Sequence, residues 1–190
     1  MTTKKDIEHA LATHRRKEHS MNEFKDFRKA AVLVPLYPTS DGLGVLLTIR
    51  TQNVETHKGQ ISFPGGARDS IDKNPIDTAL RETKEELGID LAAIEVLGLL
   101  DDHPVPSKFI ITPVVGFLST EPRLTPHNAE VAEVFTAPLS FFAEAKNGFT
   151  EEREFQHRKV KVWHFQFERY HIWGATAAII KNLIDLLHKT

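Results

Sequence analysis

Residues 65–89 read GGARDSIDKNPIDTALRETKEELGI, and this stretch decides what the rest of the chain must build around. Asn74 is a natural N-cap, and Pro75 fits the first helical position, where its missing N–H would have no helical partner anyway. Asp77 in the first turn suits the positive end of the helix dipole. Gly88 after Leu87 is a natural stop, because glycine takes the left-handed conformation that ends many helices. These signals predict a helix over 75–87. Within it Glu82, Glu85 and Glu86 stand at i, i+3 and i+4, one above the other on one face. Like charges at that spacing repel, so local stability does not explain them. Arg81, four positions before Glu85, supplies one partner. A bound divalent cation is the stronger explanation, since hard ions such as Mg²⁺ or Mn²⁺ prefer carboxylate oxygens. The plain alternative is a solvated acidic face. Gly65-Gly66 upstream weighs against it, because two glycines let the backbone approach a ligand closely.

Working outward, residues 30–37 (AAVLVPLY) and 44–49 (GVLLTI) are short, β-branched apolar runs with a turn-forming stretch at 38–42. They read as a pair of strands. Further strands are expected at 94–100, 110–117, 131–135 and 160–167, and a short helix at 138–145. Residues 175–188 form an amphipathic helix whose Ala178, Ile179, Leu183, Leu186 and Leu187 make a core-facing stripe. Strands mixed irregularly with helices point to an α/β fold with a mixed sheet covered by helices on its faces. Residues 1–28 are set apart as a polar extension. Ile7, Leu11, Phe24 and Phe27 give it a weak helical face, and partial mobility is expected. Residues 29–190 form the main domain.

Bulk properties narrow the class. The chain has 190 residues, enough for one domain with its own core. Without cysteines, disulfides, thiolate metal sites and cysteine nucleophiles are excluded. The formal net charge of −2 gives no reason to expect nucleic acid or an anionic membrane as partner. No apolar run approaches a membrane span and the N-terminus lacks a signal-peptide core, so a cytoplasmic protein is the default expectation. The sequence leaves room for a homodimer without specifying one. The ten histidines are scattered, and no HExxH pattern occurs. Trp163 and Trp173 read as core residues, and Phe63 as a brace for the glycine turn.

Residues 66–89 resemble the Nudix box, whose usual form is G-x5-E-x7-R-E-U-x-E-E-x-G-U, with U aliphatic. The match holds at Gly66, Arg81, Glu82, Glu85, Glu86, Gly88 and Ile89. Asp72 stands at the first Glu, eight residues rather than seven separate it from Arg81, and Thr83 occupies an aliphatic position. The Asp and the longer spacing resemble the branch that hydrolyses coenzyme A. That branch carries a signature close to L-L-T-x-R-S-x3-R-x3-G-x3-F-P-G-G before the box. Here it is Leu46-Leu47-Thr48-Ile49-Arg50-Thr51, then Gly59, then Phe63-Pro64-Gly65-Gly66, with the spacing kept. Thr51 replaces Ser and keeps a hydroxyl. Glu55 stands where a second Arg is usual, with His57 and Lys58 nearby. Residues 109–116 resemble the branch's central strand, with Lys108 replacing a usual Gly, and residues 172–177 resemble the start of its last helix.

The resemblance implies an α/β/α sandwich and metal-dependent cleavage of a nucleoside diphosphate ester. Coenzyme A would give 3′,5′-ADP and 4′-phosphopantetheine. It makes Glu82, Glu85 and Glu86, with the Gly66 carbonyl, the expected ligands of Mg²⁺ or Mn²⁺. The general base is expected at Glu85 or Glu82, or outside the box at Glu130, with Glu133 a weaker candidate; loop and strand charges are the plain readings of the last two. Arg50 ends an apolar strand, where a guanidinium can grip phosphate with two donors; a surface ion pair is its alternative. Lys58 and Arg68 are further substrate-binding candidates. Two other readings stay open: a Nudix enzyme for ADP-ribose, nucleotide sugars or dinucleotides, and a nucleotide sensor without turnover.

Overall fold

The computed structural model describes residues 2–20, 23–52, 59–127, 129–155 and 158–189. In chain order the elements are α1 (Lys4–Thr13), β1 (Arg28–Thr39), β2 (Gly42–Arg50), β3 (Ile61–Ser62), β4 (Gly65–Ala67), α2 (Pro75–Leu87), β5 (Ile94–Leu99), β6 (His103–Val105), β7 (Phe109–Leu118), β8 (Val131–Pro138), α3 (Leu139–Ala143), β9 (Gly148–Phe155), β10 (Arg158–Phe167), β11 (Tyr170–Trp173) and α4 (Gly174–Leu187).

β1 and β2 form the expected hairpin, with Thr39 opposite Gly42. β1 also runs parallel to β7 from Arg28↔Phe109 to Leu36↔Phe117, while β2 pairs antiparallel with β8. The sheet is therefore mixed. Both faces are covered, which explains the near-continuous apolar runs in its central strands. Successive side chains point to opposite faces. Leu33, Leu46 and Val114 face α2, where they pack with Ala79 and Leu87. Val34, Leu47 and Val115 face the other way, onto a core completed by Ile179, Ile180 and Leu183 of α4. Helices thus sandwich the sheet. Strands β9, β10 and β11 make a second, antiparallel sheet.

The caps expected from the sequence are present. Asn74 accepts from the backbone N–H groups of Ile76 and Asp77, and Gly88 ends α2 at φ 67°. At the N-terminus, α1 stops at Thr13, so Phe24 and Phe27 are not on its face as expected. Ile7 and Ala10 are fully buried in the α4-side core. The chain after α1 is tied down by two consecutive aspartates. Asp101 accepts from the backbone of Lys17 at 2.8 Å and faces His14 Nε2 at 2.7 Å, while Asp102 pairs with Arg16. No helix among the described residues is long and apolar enough to cross a membrane.

Candidate active site

α2 lies on the sheet with Ala79, Thr83 and Leu87 turned inward. Thr83, at the aliphatic position of the box, is fully buried, and its hydroxyl donates to the Ala79 carbonyl at 2.7 Å. The helix thereby satisfies a polar group that the core could not accept bare. The three glutamates that follow from this orientation meet different surroundings. Glu85 is mostly exposed, Glu82 is partly covered, and Glu86 is 4% exposed.

Glu86 is gripped from two sides. The Gly65 N–H donates to Oε2 at 3.2 Å, and Arg50 Nη1 lies 3.4 Å from Oε1. Burial pushes its pKa up to about 7, against the lowering effect of Arg50 and the Gly65 N–H. Burial also raises Glu82, with Arg81 opposing it. The charge of Glu130 adds to the rise at both.

The glycine pair is packed against this cluster. A Cβ on Gly66 would sit 2.6 Å from the Glu82 carboxyl, and one on Gly65 would sit 2.4 Å from the Ala31 carbonyl oxygen. Only a backbone without a side chain lets β4 run between β1 and the glutamates.

Arg50 reaches Glu86 from the end of β2. The pairing with β8 slips between Ile49 and Arg50, where Ala132 is the extra residue on β8. Its Nε is buried and has no hydrogen-bond partner among the described residues. The next residue explains the hydroxyl kept at 51: Thr51 Oγ1 donates to the Ala129 carbonyl at 2.7 Å, and its N–H donates to the Glu130 carbonyl at 2.9 Å. On the other side, the His127 N–H donates to the backbone carbonyl of Glu86 at 2.8 Å. The segment bearing Glu130 is therefore slung between the ends of β2 and α2. Nothing in the local sequence signals this, because the partners are distant in the chain.

Arg81 holds the loop before α2. Its Nε and Nη2 bond the two oxygens of Asp72, both at 3.0 Å, and Nη2 also donates to the Ala67 carbonyl. Nη1 reaches Glu82 at 2.7 Å and Glu85 at 3.1 Å. Arg68, a substrate-contact candidate, donates from Nε and Nη2 to the carbonyls of Asp72 and Lys73. It braces the loop. Glu133 points to Arg169 and Tyr170 instead of the glutamates. Lys58, Glu55 and His57 lie outside the described residues.

Among the described residues no three carboxylate or imidazole groups already converge on one metal-sized point. Arg81 draws Glu82 and Glu85 to itself, while Arg50 and Gly65 hold Glu86. The donor chemistry nevertheless fits a hard divalent cation, since the charge of Glu82 raises the Glu86 pKa and that of Glu85 raises the Glu82 pKa. Charge of that kind, partly buried and under-compensated, is what a cation neutralises.

Residues 27–163 match the NUDIX domain family. The chain is 39% identical over 158 residues to a Pectobacterium atrosepticum protein described as uncharacterized Nudix hydrolase NudL, covering 82% of this chain and 81% of that one. It is 38% identical over 162 residues to Nudix hydrolase 15, mitochondrial, of Arabidopsis thaliana, covering 80% of this chain and 56% of the longer relative. Among solved structures, a C. elegans Ap4A hydrolase binary complex matches with a TM-score of 0.50 at 20% identity, over 60% of this chain and 81% of that one. At that identity the likeness speaks for the fold alone.

Proposed function

The chain belongs to the Nudix hydrolase family, and from that premise we propose that it hydrolyses the diphosphate bond of coenzyme A or its derivatives, giving 3′,5′-ADP and 4′-phosphopantetheine. The observation that carries the hydrolytic part is the buried Glu86, held by Arg50 and the Gly65 N–H beside Glu82. Support for the coenzyme A part is the run 46–66, whose signature residues Arg50, Thr51, Gly65 and Gly66 all adjoin that cluster. Lys108, a departure from the coenzyme A pattern, lies in the turn between β6 and β7 at φ 61°.

In this reading Glu82, Glu85 and Glu86, with the Gly66 carbonyl, would hold a divalent cation, Mg²⁺ or Mn²⁺. When bound, the cation neutralises charge on the diphosphate and lowers the pKa of water. Arg50 places a phosphate against the cluster. Arg81 keeps Glu82 and Glu85 in position. Glu130 accepts the proton of the attacking water, its backbone fixed by Thr51. Catalysis is then mainly positioning and electrostatics.

Product analysis by mass spectrometry tests this. The protein is incubated with Mg²⁺ or Mn²⁺ and coenzyme A, ADP-ribose, a nucleotide sugar or a dinucleotide. Metal-dependent release of 3′,5′-ADP and 4′-phosphopantetheine is expected. Preference for another substrate would overturn the coenzyme A assignment and keep the hydrolase. Binding with no turnover of any of them would favour a sensor.

A further inference from the structure

The second sheet ends in a strand with one side open. In the order β11-β10-β9, β9 pairs with β10 only, and no backbone group among the described residues bonds its outer edge. Phe149 is 55% exposed, and the side chains from Thr150 to Glu154 are exposed as well. An open edge is a row of N–H and C=O groups ready to pair with another strand, and charges usually blunt it by repelling what approaches. Here the order of the charges along the strand selects one partner.

Side chains alternate between the two faces of β9. Phe149, Glu151 and Arg153 share a face with Val160, Val162 and His164 of β10, and Phe149 stacks on His164 there. Thr150, Glu152 and Glu154 lie on the other face, beside Lys159 and Lys161. Lys159 Nζ stands 3.5 Å from Glu152. A second copy of β9 that pairs antiparallel about a twofold axis sets residues of the same face opposite one another. Two registers use nearly the whole strand. Centred on Glu151, Phe149 faces Arg153, Thr150 faces Glu152 and Glu151 faces its own copy, so no opposite charges meet. Centred on Glu152, Glu151 of each copy faces Arg153 of the other, and Thr150 faces Glu154. Positions 149 and 155, both phenylalanine, become cross-strand neighbours. The like-charged contact that remains, Glu152 with its own copy, has Lys159 and Lys161 beside it in each chain.

We propose that the outer edge of β9 is a dimer interface, on which two copies of this chain join antiparallel in the register centred on Glu152. The two three-stranded sheets then become one continuous sheet across the axis. The partner is a second copy because one strand supplies both sides of each Glu151–Arg153 contact. This holds whatever the substrate.

The chain has no cysteine, so Glu152→Cys places a single thiol at the axis. Facing Cα atoms of an antiparallel pair lie about 4.5–5.5 Å apart, within reach of a disulfide. The test follows the intact protein by light scattering over a concentration series, and the cysteine variants by non-reducing gel after mild oxidation. Wild type is expected to reach twice the chain mass as concentration rises, and Glu152→Cys to give a covalent dimer. Thr150→Cys should give none, because its two copies lie four residues apart along the strands, about 13 Å. Arg153→Glu sets like charges opposite each other twice and should weaken dimerisation roughly tenfold or more. Adding Glu151→Arg exchanges the signs and should restore it. Within its own chain Arg153 donates to Glu151 and lies over Trp173, so recovery in the double variant separates the contact between copies from the loss of these. All four positions are exposed, so no replacement repacks a core. A monomer at every concentration, equal cross-linking at 150 and 152, a dimer indifferent to Arg153→Glu, or no recovery in the double variant would overturn the assignment.

Discussion

Arg81 holds Asp72 by two parallel hydrogen bonds, Nε to Oδ1 and Nη2 to Oδ2, each 3.0 Å. The shorter acid and the extra residue of loop, which set this box apart from the usual pattern, together close one ion pair. The same guanidinium touches Glu82 and Glu85. The loop and the acidic face of the helix are thus positioned by a single side chain.

Asp72→Asn removes that pair and leaves Arg81 to Glu82 and Glu85. Asp72 is 5% exposed, and the loss should be about 3 kcal/mol, the usual cost of breaking a buried pair. The Arg81 hydrogen bonds hold the Asp72 carboxyl well below the usual carboxylate range. Its folded pKa is thus below its unfolded value. The stabilisation is complete above an unfolded pKa of about 4 and fades as pH falls through the folded value. Denaturant melts from pH 7 to pH 3 should show the gap between variant and wild type narrowing below about pH 4. A gap that stayed constant would argue against the pair.

Gly66→Ala is expected to damage activity more than stability. The added Cβ meets the end of the Glu82 side chain at 2.6 Å, and that carboxylate can move aside. Displacing it by about 1 Å should lower kcat by up to roughly 100-fold. Gly65→Ala differs, because its Cβ meets backbone at 2.4 Å and φ is 155°. There thermal unfolding should show the loss first.

Arg50→Lys separates phosphate binding from a merely structural ion pair. Lysine keeps the charge near Glu86 but loses the planar fork. If Arg50 grips phosphate, KM should rise about tenfold or more while the melting temperature changes little. An unchanged KM with a lowered melting temperature would leave Arg50 as a partner of Glu86 only.

Lys108→Gly should stabilise the protein. Lys108 is held at φ 61°, a region costing a side-chain-bearing residue about 1 kcal/mol. Relief of that strain should raise the melting temperature without altering kcat/KM. An effect on kcat/KM would bring Lys108 back into the question of substrate.

What could be read in the sequence was local. Asn74, Pro75 and Gly88 bracket α2 because capping is decided by neighbours a few residues away. The β1–β2 hairpin and α4 followed from apolar runs and a stripe. β4 was hidden, because Gly65, Gly66 and Ala67 carry no strand preference and pair only where β1 passes. β9 was hidden by its charges, since GFTEEREF lies on a sheet edge. The weak face of α1 was visible in Ile7 and Leu11, but its complete burial depends on α4, at the far end of the chain. In the candidate site the three glutamates and the glycine pair were visible as a motif. The grip of Arg50 on Glu86, the sling carrying Glu130 and the brace made by Arg68 were not. Each depends on a bulge or a loop path set by tertiary contacts.

The most direct test of the account is hydrolysis of coenzyme A in ¹⁸O-labelled water with Mg²⁺, wild type beside Glu86→Gln. The expected result is one ¹⁸O atom in a phosphate of either 3′,5′-ADP or 4′-phosphopantetheine, with turnover in the variant lower by about 10² to 10³. Full activity in the variant, or no labelled phosphate from wild type, would contradict the claim that the Glu86 cluster directs water onto a diphosphate bond.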